Sequence, residues 1–157
     1  MNDFIKINNV NDIPNYQDFQ LLSKLAAEIN LASNVEQKYI GMHLSERILY
    51  LTYYINVKRF CSHVNNYKID IRIEKGEDGS PTGDFDVCFK RQSNAPIRQN
   101  EYDNIKKSTI LNMFNMDQAC FVQGENFISL GTYNSEELCE NMMKFFSQLK
   151  CNGGNVV

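Results

Sequence analysis

Cys120-Phe-Val-Gln-Gly-Glu-Asn-Phe-Ile-Ser-Leu-Gly-Thr-Tyr-Asn-Ser-Glu-Glu-Leu138 is the stretch that decides the fold class. Two short apolar runs, residues 119–123 and 127–131, flank Gly124-Glu125-Asn126. A short loop bearing Gly and Asn between β-favouring runs predicts a hairpin. A helix follows at once. Asn134 suits the N-cap, Glu137 stands three residues on as in a capping box, and Ser135, Glu136 and Glu137 suit the positive end of a helix dipole. Leu138, Met142, Phe145 and Leu149 then recur at helical spacing with Phe146 beside them, and Gly153-Gly154 marks the stop. A hairpin backed by an amphipathic helix is a packing unit, and the rest of the chain is read outward from it.

Upstream, Tyr67-Lys-Ile-Asp-Ile-Arg-Ile-Glu74 alternates strictly, with Ile69, Ile71 and Ile73 on one side and Lys68, Asp70, Arg72 and Glu74 on the other. That is the pattern of a half-buried strand. Residues 76–83 form a Gly- and Pro-rich loop, after which Phe85, Val87 and Phe89 alternate with Asp84, Asp86, Cys88 and Lys90 as an antiparallel partner strand. Pro96 opens a short helix over 97–107, and 109–116 reads as a strand leading into the hairpin.

Toward the N-terminus, residues 4–8 alternate weakly as a short strand, and turn chemistry breaks them at 11–15. Phe19, Leu22, Leu25, Ala26 and Ile29 place a helix over 16–31. Ile40, Leu44, Ile48, Leu51 and Ile55 follow the helical period and predict a second, long helix to about Phe60, closed by Lys58-Arg59. The β-branched and aromatic content of 48–57 keeps a strand there as the alternative. The expected fold is α+β: an antiparallel sheet of about five strands with helices mainly on one face. Residues 1–66 form a mainly helical N-terminal region and 67–157 the sheet domain.

The composition limits function. A net charge of −3 over 157 residues argues against holding nucleic acid by bulk positive field, and leaves a local patch open. The five cysteines are odd in number and none forms a C-x-x-C pair, so reduced thiols in a nuclear or cytoplasmic, intracellular setting are expected. No signal peptide and no run of roughly 20 apolar residues is present, so no membrane partner is expected. With two histidines, the chain is poor in material for acid–base or metal chemistry. Cys61 and His63 make at most half a ligand set. Asp84-x-Asp86 reads as a solvent face, the glycines at 76, 79 and 83 lack the Lys-Ser/Thr of a phosphate loop, and Ser80-Pro81 is a bare exposed match. No catalytic residue, metal or cofactor is assigned, and the chain is read as no enzyme.

Aromatic placement points to binding instead. Ile128 and Leu130 share one side of 127–131, with Phe127 and Ser129 on the other; Phe121 and Gln123 alternate away from Cys120 and Val122. If helices cover the aliphatic side, Phe121, Phe127, Gln123 and Ser129 line an uncovered sheet face able to meet a nucleic-acid or protein partner. Cover by the N-terminal helices is the competing outcome.

Phe121-Val-Gln-Gly124 sets a Phe three residues before a Gly, Leu130-Gly131-Thr132 follows, and Asn134-Ser-Glu-Glu137 opens the helix. Gly83-Asp-Phe-Asp-Val-Cys-Phe89 supplies a first strand. With these motifs, residues 83–150 resemble one half-repeat of the TATA-binding protein family, including its divergent versions in large DNA viruses. The resemblance implies an order of strand, helix, three strands and long helix, with Phe121 at the position of the family's inserted wedge. It implies a non-enzymatic, transcription-associated protein that binds AT-rich duplex DNA or transcription partners through an exposed sheet face. Glu125 stands where the family has Lys, Asp84 and Asp86 lie on the outer face of the first strand, and no second Phe-x-x-Gly hairpin occurs in 1–66. Those departures favour the alternative, a protein–protein adaptor or assembly subunit on the same fold. Half a saddle also implies a homodimer or a complex with another subunit.

Overall fold

The computed structural model describes residues 4–7, 9–13, 16–35, 39–44, 46–56, 66–108 and 111–151. In chain order the elements are β1 (Phe4–Lys6), α1 (Tyr16–Ser33), β2 (Tyr39–His43), β3 (Ile48–Asn56), β4 (Asn66–Lys75), β5 (Pro81–Arg91), α2 (Gln99–Lys107), β6 (Cys120–Phe121), β7 (Phe127–Asn134) and α3 (Ser135–Cys151). Short 3₁₀ turns occupy Val10–Asp12, Leu111–Met113 and Met116–Gln118. The strands form one sheet of 7 in the order β1-β2-β3-β4-β5-β7-β6, every neighbour antiparallel. The fold is α+β, with seven strands in place of about five.

The two extra strands replace the expected long helix. Leu49, Leu51, Tyr53 and Ile55 are buried, whereas Tyr54 is exposed and Leu44 stands in a turn, 47% exposed. The helix-side core positions over 48–55 therefore recur every second residue, with Thr52 buried on the other face, and the β-branched and aromatic run behaves as a strand. The spacing of Ile40, Leu44, Ile48, Leu51 and Ile55 coincides with a helical period by accident. β1, β2 and β3 continue the sheet formed by β4 and β5, so one sheet runs across the boundary expected at 66/67.

The strand expected over 109–116 is absent from its described part. Leu111–Met113 and Met116–Gln118 are 3₁₀ turns, and Asn115 Oδ1 accepts from Asp117 N at 3.1 Å, a local bond that competes with a sheet ladder. Leu111 and Phe114 still enter the core, Phe114 meeting Tyr133 and Phe145 edge-on. The hairpin forms with unequal arms. β6 is two residues long, and β7 runs to Asn134 with a bulge opposite Val87 and Cys88. The predicted cap is in place: Asn134 Oδ1 accepts from Glu137 N at 2.9 Å and Asn134 Nδ2 donates to Glu137 Oε1 at 2.6 Å.

All three helices lie on one side of the sheet. Leu22, Leu25, Ala26 and Ile29 of α1 and Leu138, Met142 and Phe145 of α3 join Leu51, Tyr53, Ile69, Ile71, Val87, Phe89 and Ile128 in one core. Tyr53 fixes both long helices, donating to Asn30 Oδ1 at 2.9 Å and meeting Phe146 edge-on. α2 is tied through buried Glu101, which accepts from the Tyr67 hydroxyl and from Arg91 Nη2. Tyr67 and Arg91 pair across β4 and β5 on the helix side, and Tyr67 stacks on Phe89 at 4.7 Å. Among the described residues, no helix covers the opposite face.

Candidate interaction face

Cross-strand pairing decides what the helix-free face presents, because directly opposite residues point to the same side. Thr52, Asp70, Cys88, Ser129 and Cys120 stand in line across β3, β4, β5, β7 and β6. On one side of that line lie Tyr54, Lys68, Lys90 and Phe127. Arg72, Asp86 and Thr132 lie on the other, with Tyr50 beside them on β3. A line of short side chains between two lines of longer ones makes a trough across the strands. A basin of about 370 Å³ opens there, lined by His43, Tyr50, Asp70, Arg72, Cys88 and Phe127 among others.

The floor is polar and its side chains are buried. Thr52 is 0% and Asp70 1% exposed, and Thr52 Oγ1 donates to Asp70 Oδ1 at 2.7 Å. Asp70 Oδ2 accepts no hydrogen bond among the described residues and is ion-paired with Lys68 Nζ at 3.6 Å. Burial lowers the Lys68 pKa, with Asp70 opposing that shift and Lys90, directly across the ladder, adding to it. The Cys88 thiol is pushed up to about 12 by burial first and by the Asp70 charge second, so it stays protonated and is a poor nucleophile at neutral pH. Tyr50 is likewise raised to about 12 by burial and by Glu46. Asp86 is engaged by Thr132 Oγ1 at 2.7 Å and by Arg72 Nε at 3.3 Å. Lys90 has no ion pair among the described residues.

The residues expected to form the site separate. Phe127 and Ser129 stand on the helix-free face and line the basin. Phe121 does not join them. It pairs directly with Ile128, a core residue, and stacks on Tyr102 of α2 at 4.5 Å, half-buried against the helix-side core. The expectation of Phe121 beside Phe127 fails because β6 pairs Cys120 with Ser129 and Phe121 with Ile128. Gln123 is exposed in the turn after β6 and belongs to neither face. The buried polar groups Thr52 and Asp70 of the floor and Lys68 beside them were legible only as polar positions of strand-forming runs, with nothing to distinguish buried polar groups from solvated ones.

Among the described residues, no group of three His, Cys, Asp or Glu is placed to hold a metal ion. Cys88, Cys120 and Cys139 are free thiols; Cys61 and His63 lie outside the described residues. No described helix is long and apolar enough to cross a membrane. No protein-family model, curated protein or solved structure gives a significant match to the chain.

Proposed function

We propose that the chain is a non-enzymatic interaction subunit that binds a protein partner through the helix-free face of its sheet. The observation that carries this reading is the gathering of every described helix on one side, leaving a polar trough with aromatic and charged walls on the other. Such a surface offers shape and polar contacts to a partner. The transcription-associated reading, a likeness to the TATA-binding protein with AT-rich duplex as ligand, is the second proposal. It draws support from Lys90 beside Phe127 on that face. The protein partner is favoured because the implied wedge, Phe121, is stacked on the helix side, and because Asp70, Asp86 and Glu46 face the same basin as Arg72 and Lys90. Phosphates along a duplex would meet those carboxylates.

A photo-cross-linking amino acid placed at position 127 tests the reading, with the same group at position 143 as control. Met143 is 42% exposed on α3, away from the trough. Protein cross-links from 127 and none from 143 are expected. Cross-links from 143 alone overturn the reading, and duplex cross-links from 127 give the face to DNA.

A further inference from the structure

Each carboxylate that meets the basin already has a donor. Asp70 takes the Thr52 hydroxyl at 2.7 Å, pairs with Lys68 at 3.6 Å and is 1% exposed. Asp86 takes Thr132 Oγ1 at 2.7 Å and Arg72 Nε at 3.3 Å. Glu46 accepts the Tyr50 hydroxyl at 3.4 Å and is exposed in the β2–β3 turn. The donors are not all matched in return. Among the described residues, Lys90 Nζ has neither an ion pair nor a hydrogen bond, and Ser129 Oγ has no hydrogen bond. Both line the basin on neighbouring strands, Lys90 directly opposite Phe127 and Cys88 directly opposite Ser129. Asp86 and Tyr50 share the row four residues along from Lys90, roughly 13 Å away, and Glu46 lies beyond them. One corner of the basin therefore holds an unengaged ammonium and an unengaged hydroxyl beside an aromatic ring.

We propose that this corner binds a small aromatic carboxylate, with its anion on Lys90 Nζ and Ser129 Oγ and its ring against Phe127. A carboxylate carries one negative charge and only accepts, so its two oxygens match one ammonium and one hydroxyl donor. A cationic ligand would meet Lys90, and the carboxylates it would seek are engaged. A phosphate dianion carries more charge than Lys90 offsets, and Asp70 stands one strand away with Lys68 committed to it. The ring follows from Phe127, half-buried and next to the ammonium, which offers an apolar wall that a bare carboxylate would leave wet. A basin of about 370 Å³ is within the size of small-molecule sites. A DNA duplex would span the whole trough and meet Asp86, whereas a single carboxylate needs only this corner. The inference stands apart from the protein-partner reading and requires only that the basin be open.

Chemical-shift titration of the isotope-labelled chain tests it, with benzoate as the probe and benzyl alcohol, benzylamine, acetate and inorganic phosphate as comparisons. Benzoate is expected to shift the signals of residues 88–90 and 127–129 and to bind more tightly than every comparison. Lys90→Gln is expected to weaken benzoate about fivefold, the loss of one hydrogen bond to a charged group in an open site. Ser129→Ala reads the same contact from the hydroxyl side and is also expected to weaken it. Lys144→Gln on α3 is expected to leave it unchanged, and circular dichroism checks the fold of each variant. Benzyl alcohol or benzylamine binding as tightly as benzoate overturns the inference, as does acetate or phosphate doing so. Benzoate shifts that are absent or confined elsewhere overturn it too, as does benzoate affinity unchanged in both folded basin variants. If benzoate fails while position 127 still cross-links a protein, the ligand site falls and the interaction reading stands. If benzoate binds as expected and protein cross-links come from position 143 alone, the reverse holds.

Discussion

Phe121 and Phe127 lie six residues apart and face opposite sides of one sheet, and that difference separates a stability role from a binding role. Phe121 stacks on Tyr102 and packs on the core. Phe121→Ala should therefore lower unfolding free energy by about 1–3 kcal/mol, less than the loss at a fully buried Phe, without altering what the helix-free face binds. Denaturant melts read against partner binding check both halves. Cys88 makes a different prediction. Its thiol is held near 12 in the folded chain against an ordinary value of 9.0. A group raised on folding stabilises fully below its unfolded value and loses that contribution as pH climbs to its folded value. Tyr50, also raised to about 12, acts in the same direction. Lys68, lowered on folding, acts oppositely, favouring the fold as pH rises toward 10.5. Stability should fall between about pH 9 and pH 12, and Cys88→Ala should flatten the fall relative to its own neutral-pH stability. Chemical melts at stepped pH measure the slope.

Two elements depend on single contacts that replace regular structure. α2 is short, and Glu101 gathers the Tyr67 hydroxyl and Arg91 beneath it. Glu101→Ala leaves Arg91 nearly buried without its carboxylate and should cost about 3–5 kcal/mol, with near-ultraviolet dichroism reporting the change around Tyr67. β7 holds Gly131 at φ +98°, at its bulge, where an added Cβ would lie 2.9 Å from Gln118 Cβ. Gln118 Oε1 also accepts from Thr132 N at 3.4 Å, occupying a ladder position that β6 is too short to reach. Gly131→Ala combines left-handed strain with a clash and should cost about 2–4 kcal/mol. A melt within 1 kcal/mol of wild type would contradict that account. At this scale much was legible in the sequence. The alternation of 67–74 and 85–89, the α1 periodicity and the Asn134 cap each rest on one local rule that tertiary structure left alone. β3 was misread because leucines and isoleucines three and four apart also fit a strand when aromatic residues fill the gaps, and burial settles the period. The faces of β6 depended on its pairing with β7, which spacing within one strand does not carry.

At the scale of the molecule, the seven described strands carry the three described helices on one side and a polar trough on the other. The sequence left open whether the face opposite the aliphatic one is covered, and it grouped Phe127 and Ser129 with Phe121 and Gln123, which the pairing of β6 and β7 separates from them. It did not reveal the trough, because a trough exists only when short residues on five strands fall into line, a property of register. The same register brings Lys68 opposite Lys90 and gives the face its two oppositely charged ends. The central claim is that this face, and not the outer surface of the helices, is occupied in the working assembly. Quantitative acetylation of lysines in the native assembly, compared with the dilute purified chain, tests it most directly. Lys90 lines the trough, and Lys144, its side chain 51% exposed on α3, is the internal control. The account predicts that assembly protects Lys90 severalfold while Lys144 reacts equally in both; protection of Lys144 with Lys90 unchanged would contradict it.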